Sequence, residues 1–374
     1  MRVAFYAPLK PPDHPTPSGD RRVARLLMAA LTHVGHEVWL ASTLRLRARP
    51  AEQEALRDAA LAETDRLIAS FARGEQPRPD LWFTYHSYYK APDWLGPAVS
   101  ARLGIPYMLA EASHAPKRAT GEWTLNHQAS ETAIRSAARI FCFNPRDKPQ
   151  LAAAGAEEKL VDLPPFLDLG RYASSEIDRG TRRHRLARNH GLDETLPWLL
   201  AVGMMRAGDK SASYMMLAEA LKGLGRPHEM LLVGDGAARA QIEAAFTGQR
   251  VHFLGAMEEN ALPHLYGACD LFVWPAINEA FGMALLEAHA MGLPAVAGDF
   301  GGVATIVADG FTGRVTPPGD ATAFRAAIAE LLGNPKRRRR MGEAARARAL
   351  ALHTLPHAAA ILAQEITAVM REKS

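Results

Sequence analysis

"DLFVWPAINEAFGMALLEAHAMGLPAVAG", residues Asp270 to Gly298, holds one complete strand–helix–strand unit. Its opening "DLFVWP" is a short apolar run stopped by proline, "EAFGMALLEAHAMG" has helical spacing closed by Gly292, and "LPAVAG" is the following strand. Two strands joined by a helix of this length pair in parallel with a right-handed crossover. The loop and helix start then lie at the carboxyl edge of a parallel sheet, where α/β proteins bind ligands. Two glutamates, Glu279 and Glu287, flank that helix and need an explanation.

The same alternation runs through the whole chain. In the first half "RVAFYAP", "HEVWLAS", "DLWFTYH", "PYMLAEASH" and "ARIFCFN" read as strands separated by helix-length segments, including a long helical stretch from Pro50 to Ala72. A second series, "LPWLLAVGM", "EMLLVGDG", "VHFLG", "LFVWP" and "PAVAG", follows a Pro- and Arg-rich stretch between Pro164 and Leu196, where the interdomain connection is placed. The Ala-rich tail from Gly342 to Lys373 reads as helix interrupted near Pro356. At 374 residues the chain is long enough for about two domains. The expected class is α/β, with two Rossmann-like doubly wound parallel-sheet domains facing a central cleft. The first spans 1–165 with the C-terminal helix 355–374 packing back on it, and the second spans 166–354.

Composition narrows the function classes. A chain 48% hydrophobic and 22% charged is globular, and its formal charge of +4 suits a phosphorylated ligand or an anionic surface as well as nucleic acid. "MRVAFYAP" reads as a strand instead of a leader, and no apolar run approaches the ~18 residues of a spanning helix, so a soluble cytoplasmic protein is expected. Cys142 and Cys269 sit inside apolar runs and read as core thiols. No metal-ligand spacing is present, so neither a metal nor a cofactor is expected.

A helix N-terminus carries unpaired amides and partial positive charge. Ala280, Phe281, Gly282 and Met283 are therefore candidates for holding phosphate or sugar oxygens, Glu279 for orienting sugar hydroxyls, and Glu287 for a ribose diol. The competing reading makes Glu279 a complement to the helix dipole and Glu287 half of an ion pair. The G-x-G of Gly234 and Gly236 follows a strand, but Arg239 replaces the third glycine of a dinucleotide fingerprint, and a turn is the better reading.

Taken together, "NEAFGMALLEAHAMGLPAVAGDFGGVATIVADGFTGRVTPPGD" resembles the donor-binding segment of the GT-B retaining glycosyltransferases, glycosyltransferase family 4 (glycosyl transferases group 1). The E-x7-E pattern falls on Glu279 and Glu287, the strand start on Gly292 to Val296, and the following turn on Asp309 to Asp320. The resemblance implies transfer of a sugar from a nucleotide diphosphate sugar to a sugar, lipid-linked or small-molecule acceptor, with retention and without metal. Peripheral contact with the inner membrane face fits the lipid acceptors, and no nucleic acid is expected. The family's diphosphate-gripping Arg and Lys fall on "VGMMRAGDKSAS", where Met204 stands in the arginine's place, and the roles pass to Arg206 and Lys210.

In the first domain the resemblance points to Gly19, in the loop after the first strand, as a further donor-binding residue that touches donor phosphate or acceptor, and on the acceptor side to the strand-end histidine His114. His86, also at a strand end, and Glu111 are further acceptor-side candidates. A histidine there could bond a sugar hydroxyl or share its proton. The catalytic set is thus His114, Glu279 and Lys210. Two other readings remain open: a catalytically silent nucleotide-sugar-binding protein, and a glycoside hydrolase using Glu279 and Glu287 as its carboxylate pair. The basic stretches Arg179 to Arg188 and Lys336 to Arg340 raise an anionic partner, and read otherwise as solvated helix faces.

Overall fold

The structure is a computed structural model that describes residues 1–16, 18–173 and 178–372. It divides into two compact units, Pro165–Thr354 and a first unit of Met1–Pro164 completed by the C-terminal helix Leu355–Glu372. Each is built on one six-stranded parallel sheet. The first comprises β1 (Arg2–Tyr6), β2 (Glu37–Leu40), β3 (Leu81–Ser87), β4 (Tyr107–Ala112), β5 (Arg139–Cys142) and β6 (Leu160–Asp162), in the order β2-β1-β3-β4-β5-β6. The second comprises β7 (Trp198–Val202), β8 (Glu229–Val233), β9 (Val251–Phe253), β10 (Leu271–Trp274), β11 (Ala295–Gly298) and β12 (Gly313–Thr316), in the order β12-β11-β10-β7-β8-β9. The α/β alternation read from the sequence is this architecture.

Both strand orders reverse direction once. In the first sheet the chain winds outward from β1 to β2 and then from β3 to β6, so the switch lies between β1 and β3. In the second it lies between β7 and β10. At such a point the loops leaving two adjacent strands diverge to opposite faces and open a crevice at the carboxyl edge. Central strands are buried on both sides, as parallel sheets covered by helices require: Val3 to Tyr6 and Leu271 to Val273 have no exposed surface.

The strands β6 and β12 escaped the sequence reading. They have three and four residues, too few for an apolar period, and β12 lies inside what reads as a glycine turn. The segment placed in the interdomain connection also differs, because residues Arg179–His190 form a helix of the second unit. Asp178 caps it by accepting from the Thr181 amide at 3.1 Å. Its arginines answer a partner within the unit. Arg183 stacks 4.0 Å over the Trp198 ring, and Arg179 and Arg183 reach Asp270 at 2.7 and 3.0 Å.

Asp270 is the hub of this packing. It also accepts from the Trp198 amide at 2.9 Å and from Arg338, at the start of helix Pro335–Leu352, at 3.4 Å. Burial pushes its pKa up, but the Trp198 N–H and the arginines outweigh that and hold the carboxyl below its ordinary range. Arg337 pairs with Glu330. Both basic stretches are thus partly consumed in holding helices to the second sheet.

In the first unit the C-terminal helix is held by Arg139, which reaches Glu365 at 2.9 Å and Glu372 at 2.6 Å. The break before it falls at His353 and Thr354, and Pro356 sits in its first turn, where a missing N–H costs nothing. Cys142 and Cys269 are buried free thiols, and burial pushes Cys142 up to about 12, so both are inert core residues. Among the described residues no helix is long and apolar enough to cross a membrane.

Removing the hub carboxylate leaves Arg183 and Arg338, 13% and 12% exposed, without their shared anion. Asp270→Ala is therefore expected to destabilise the second unit by about 3 kcal/mol. Urea denaturation measures this, and a midpoint equal to that of the parent chain would contradict the hub role.

Candidate functional site

The loop from β10 to helix Met283–Ala290 crosses the switch point of the second sheet, and its backbone is unusual. Ala276 and Asn278 have φ of 56° and 50°, a left-handed conformation that costs a non-glycine residue about 1 kcal/mol or more. Contacts to helix Asp209–Leu221 hold the loop there. Ser213 Oγ accepts from the Ile277 amide at 3.0 Å, and the Asn278 amide donates to Asp209 at 3.1 Å. Lys210 pairs with Glu279 on the same two segments.

Three side chains converge as a result. Lys210 donates to Glu279 Oε2, the Trp274 indole donates to the same oxygen at 3.1 Å, and the Lys210 ammonium lies 5.2 Å from the Trp274 ring. Among the described residues no hydrogen bond falls on Glu279 Oε1, which leaves that oxygen for a ligand hydroxyl. The cation and the carboxylate are each about four-fifths shielded from solvent, so their interaction is less screened than a surface pair.

The helix itself begins later than its pattern suggests. Gly282, with φ of 77°, is the cap, and Glu279, Ala280 and Phe281 precede it as loop. A β-carbon on Gly282 would meet Leu285 Cδ1 at 2.7 Å. Met283 is the first helical residue, and the loop from Ala280 to Gly282 leads the chain into the first-turn amides.

Arg206 is exposed in the loop between β7 and helix Asp209–Leu221, with Met204 exposed before it and Met205 fully buried between them. The glycines of the G-x-G set this loop. Their φ values are 136° and 149°, and a β-carbon would meet Gly203 O at 1.8 Å from Gly234 and Met205 O at 2.4 Å from Gly236. The motif is a close backbone packing that presents Met204 and Arg206, not a dinucleotide turn.

Glu287 sits in the helix that follows. It is 3% exposed and accepts the Tyr266 hydroxyl at 2.8 Å from helix Leu262–Ala268.

In the first unit the switch point also gathers polar groups. Ser18 caps helix Gly19–His33 by accepting from the Arg21 amide at 3.2 Å; Gly19 opens the helix with open space around its α-carbon. Asp20 follows, and its carboxylate accepts from His86 Nδ1 at 3.0 Å. His86 and Glu111, at the ends of β3 and β4, have φ of 61° and 56°. Burial raises Glu111 to about 7 against the opposing charge of His86. Burial alone would lower His86, but the charge of Glu111 and the bond to Asp20 raise it to about 9.

The two histidines stand in different surroundings. His86 stands with two carboxylates at the switch point, whereas His114, in the segment beyond β4, is turned to Glu131 at 3.2 Å and lies against His127 with ring centroids 5.1 Å apart. The tyrosines nearby are mostly packing: Tyr85 is 1% exposed and Tyr89 meets Trp123 edge-on at 5.1 Å. Sequence reasoning missed Trp274 because it reads as strand core, Tyr266 because it reads as helix core, and Asp20 because its partner is 66 residues away.

Comparison with known proteins bears on the second unit most directly. Residues 183–348 match the family model described as glycosyl transferases group 1. An alpha-D-kanosaminyltransferase from Streptomyces kanamyceticus is 30% identical over 220 residues, covering 58% of this chain and 56% of that protein. This chain spans about half the length of the curated relatives it first matches. Over its whole length the fold is that of a sucrose-phosphate synthase from Thermosynechococcus elongatus, with 21% identity, a TM-score of 0.76 and complete coverage of both chains. It is also that of Anabaena HepE, solved in complex with UDP, with 16% identity, a TM-score of 0.74 and coverage of 98% and 100%. Residues 183–348 are thus similar to the glycosyl transferases group 1, and the fold of the chain is GT-B.

His86 gains a proton-binding environment on folding, so its contribution to stability is fully present below pH 6.5 and is lost as pH rises through about 9. Asp20→Asn removes one of the carboxylates responsible. The His86 pKa in that variant, followed by NMR titration of the imidazole, is expected to fall, and an unmoved titration would rule out the Asp20 contact.

Proposed function

We propose that this chain is a glycosyltransferase that moves a sugar from a nucleotide diphosphate sugar to an acceptor hydroxyl, with retention of anomeric configuration. The observation that carries the proposal is the Lys210, Glu279 and Trp274 group at the switch point of the second sheet. Lys210 and Arg206 supply cations at the loop and helix start after β7, where negative charge grows on a departing diphosphate. Glu279 Oε1 would orient a hydroxyl of the transferred sugar. The amides at the start of helix Met283–Ala290 would bind oxygen atoms of the donor. Glu287, oriented by Tyr266, is assigned to the ribose.

In the first unit, His86 with Asp20 and Glu111 is assigned to the acceptor in preference to His114, because the switch point gathers the former and not the latter. The bond from the anomeric carbon to the diphosphate oxygen breaks, the acceptor oxygen bonds to the same face, and its proton passes to the leaving phosphate. A front-face route is favoured because Glu279, the carboxylate of this group, is paired with Lys210 instead of standing free as a nucleophile. The same pairing weighs against a glycoside hydrolase, which needs two carboxylates facing across a scissile bond. Here Glu279 faces Lys210 and Trp274 while Glu287 faces Tyr266. The UDP held by HepE and the sugar transfer named for the kanosaminyltransferase support the donor class.

Thermal-shift measurement with UDP-, GDP- and ADP-sugars identifies the donor, since a ligand at about 100 times its Kd adds about 2.7 kcal/mol. Lys210→Ala is expected to lower kcat by roughly 10²- to 10³-fold with a melting temperature near that of the parent. Normal turnover in a well-folded Lys210→Ala chain, or a product of inverted anomeric configuration, would overturn the mechanism. Donor binding without either transfer or slow donor hydrolysis would favour the catalytically silent binder.

A further inference from the structure

The segment leaving β4 and the helix Thr124–Ser136 bring three metal-ligating side chains together in the first unit. His127 and Glu131 are four residues apart and share one face of the helix. His114 reaches them from the segment after β4. One potential ligand atom from each of His114, His127 and Glu131 lies within 4.8 Å of the other two. His114 Nε2 and Glu131 Oε1 are 3.2 Å apart.

A second observation points to a missing ligand. His127 is 2% exposed and its Nε2 has no hydrogen-bond partner. A buried imidazole nitrogen left unpaired is costly, and one that sits beside another histidine and a carboxylate calls for a partner the protein itself does not supply. The remaining contact of Glu131 is weak: Arg135, 63% exposed, approaches it at 3.6 Å.

We propose that His114, His127 and Glu131 bind one zinc ion. Two imidazole nitrogens and one carboxylate oxygen are a zinc donor set, whereas calcium and magnesium take oxygen ligands. Zinc–ligand bonds of about 2.0–2.2 Å in a tetrahedron place ligand atoms a little over 3 Å apart, a spacing that His114 and Glu131 already have. The site supplies three ligands, so water or a ligand atom takes the fourth position. No local motif announces it, because the first histidine comes from another element.

The bound ion would tie the segment carrying His114 to helix Thr124–Ser136. Because β4 ends at Ala112, the same tie would steady the strand end that carries Glu111. The role is structural, and the proposal is independent of the sugar-transfer reading.

The test uses the full chain without an affinity tag, stripped with a chelator and dialysed against zinc. Metal analysis is expected to find about one zinc per chain, and cobalt is expected to give the intense visible bands of four-coordinate Co(II). Glu131→Gln and His114→Ala should each weaken zinc binding by more than about tenfold and abolish the cobalt spectrum. Zinc should raise the melting temperature of the parent and not of Glu131→Gln. If His127→Ala fails to fold, Glu131→Gln, a conservative change at a partly exposed position, decides the matter. A stripped parent that takes up no more zinc than Glu131→Gln, or six-coordinate cobalt in both, would overturn the proposal.

Discussion

The contact on which the candidate site depends is the fastening of the β10 loop to helix Asp209–Leu221. Ala276 and Asn278 are held in a backbone conformation that each would leave if released. Ser213, Asp209 and Lys210 supply the opposing contacts from the first turns of the neighbouring helix. Each neutral hydrogen bond is worth about 1 kcal/mol net and a charge-assisted one somewhat more. Three such contacts are enough to offset two left-handed residues at about 1–2 kcal/mol each. The balance delivers Glu279 to Lys210 and Trp274 and aims the following amides at the same carboxyl edge.

Strain is distributed with the same logic in both units. The described non-glycine residues with positive φ are His86, Glu111, Ala276 and Asn278. Each lies at the carboxyl end of a parallel strand or in the loop that follows it. Backbone energy is spent at the edges where sheet order reverses, and the partly buried Asp20, His86 and Glu111 group spends electrostatic energy there too. Elsewhere charge serves packing. Asp270 gathers Arg179, Arg183 and Arg338 around one carboxylate, and that use of arginine accounts for part of two basic stretches.

The sequence by itself determined the α/β architecture and the strand–loop–helix that carries Glu279. Apolar runs of period-free strand length separated by helix-length crossovers admit a doubly wound parallel sheet, and the strand–loop–helix from Asp270 to Gly298 places Glu279 at its carboxyl edge with no further information. These features are local, set by neighbours within a few residues. Short strands such as β6 and β12 and the polar helix Arg179–His190 were illegible because three or four residues carry no period and a helix held by ion pairs needs no apolar stripe.

Only the tertiary structure decided which side chains meet. Asp20 finds His86 across 66 residues, Lys210 finds Glu279 across 69, and Tyr266 takes Glu287 into the interior. His114 and His86 have equivalent settings at the level of sequence, each near the end of an apolar run. The order of strands separates them, because it puts β3 beside β1 at the switch point and leaves the segment beyond β4 to helix Thr124–Ser136. Strand order is fixed by long-range pairing and crossover handedness, and no local pattern encodes it.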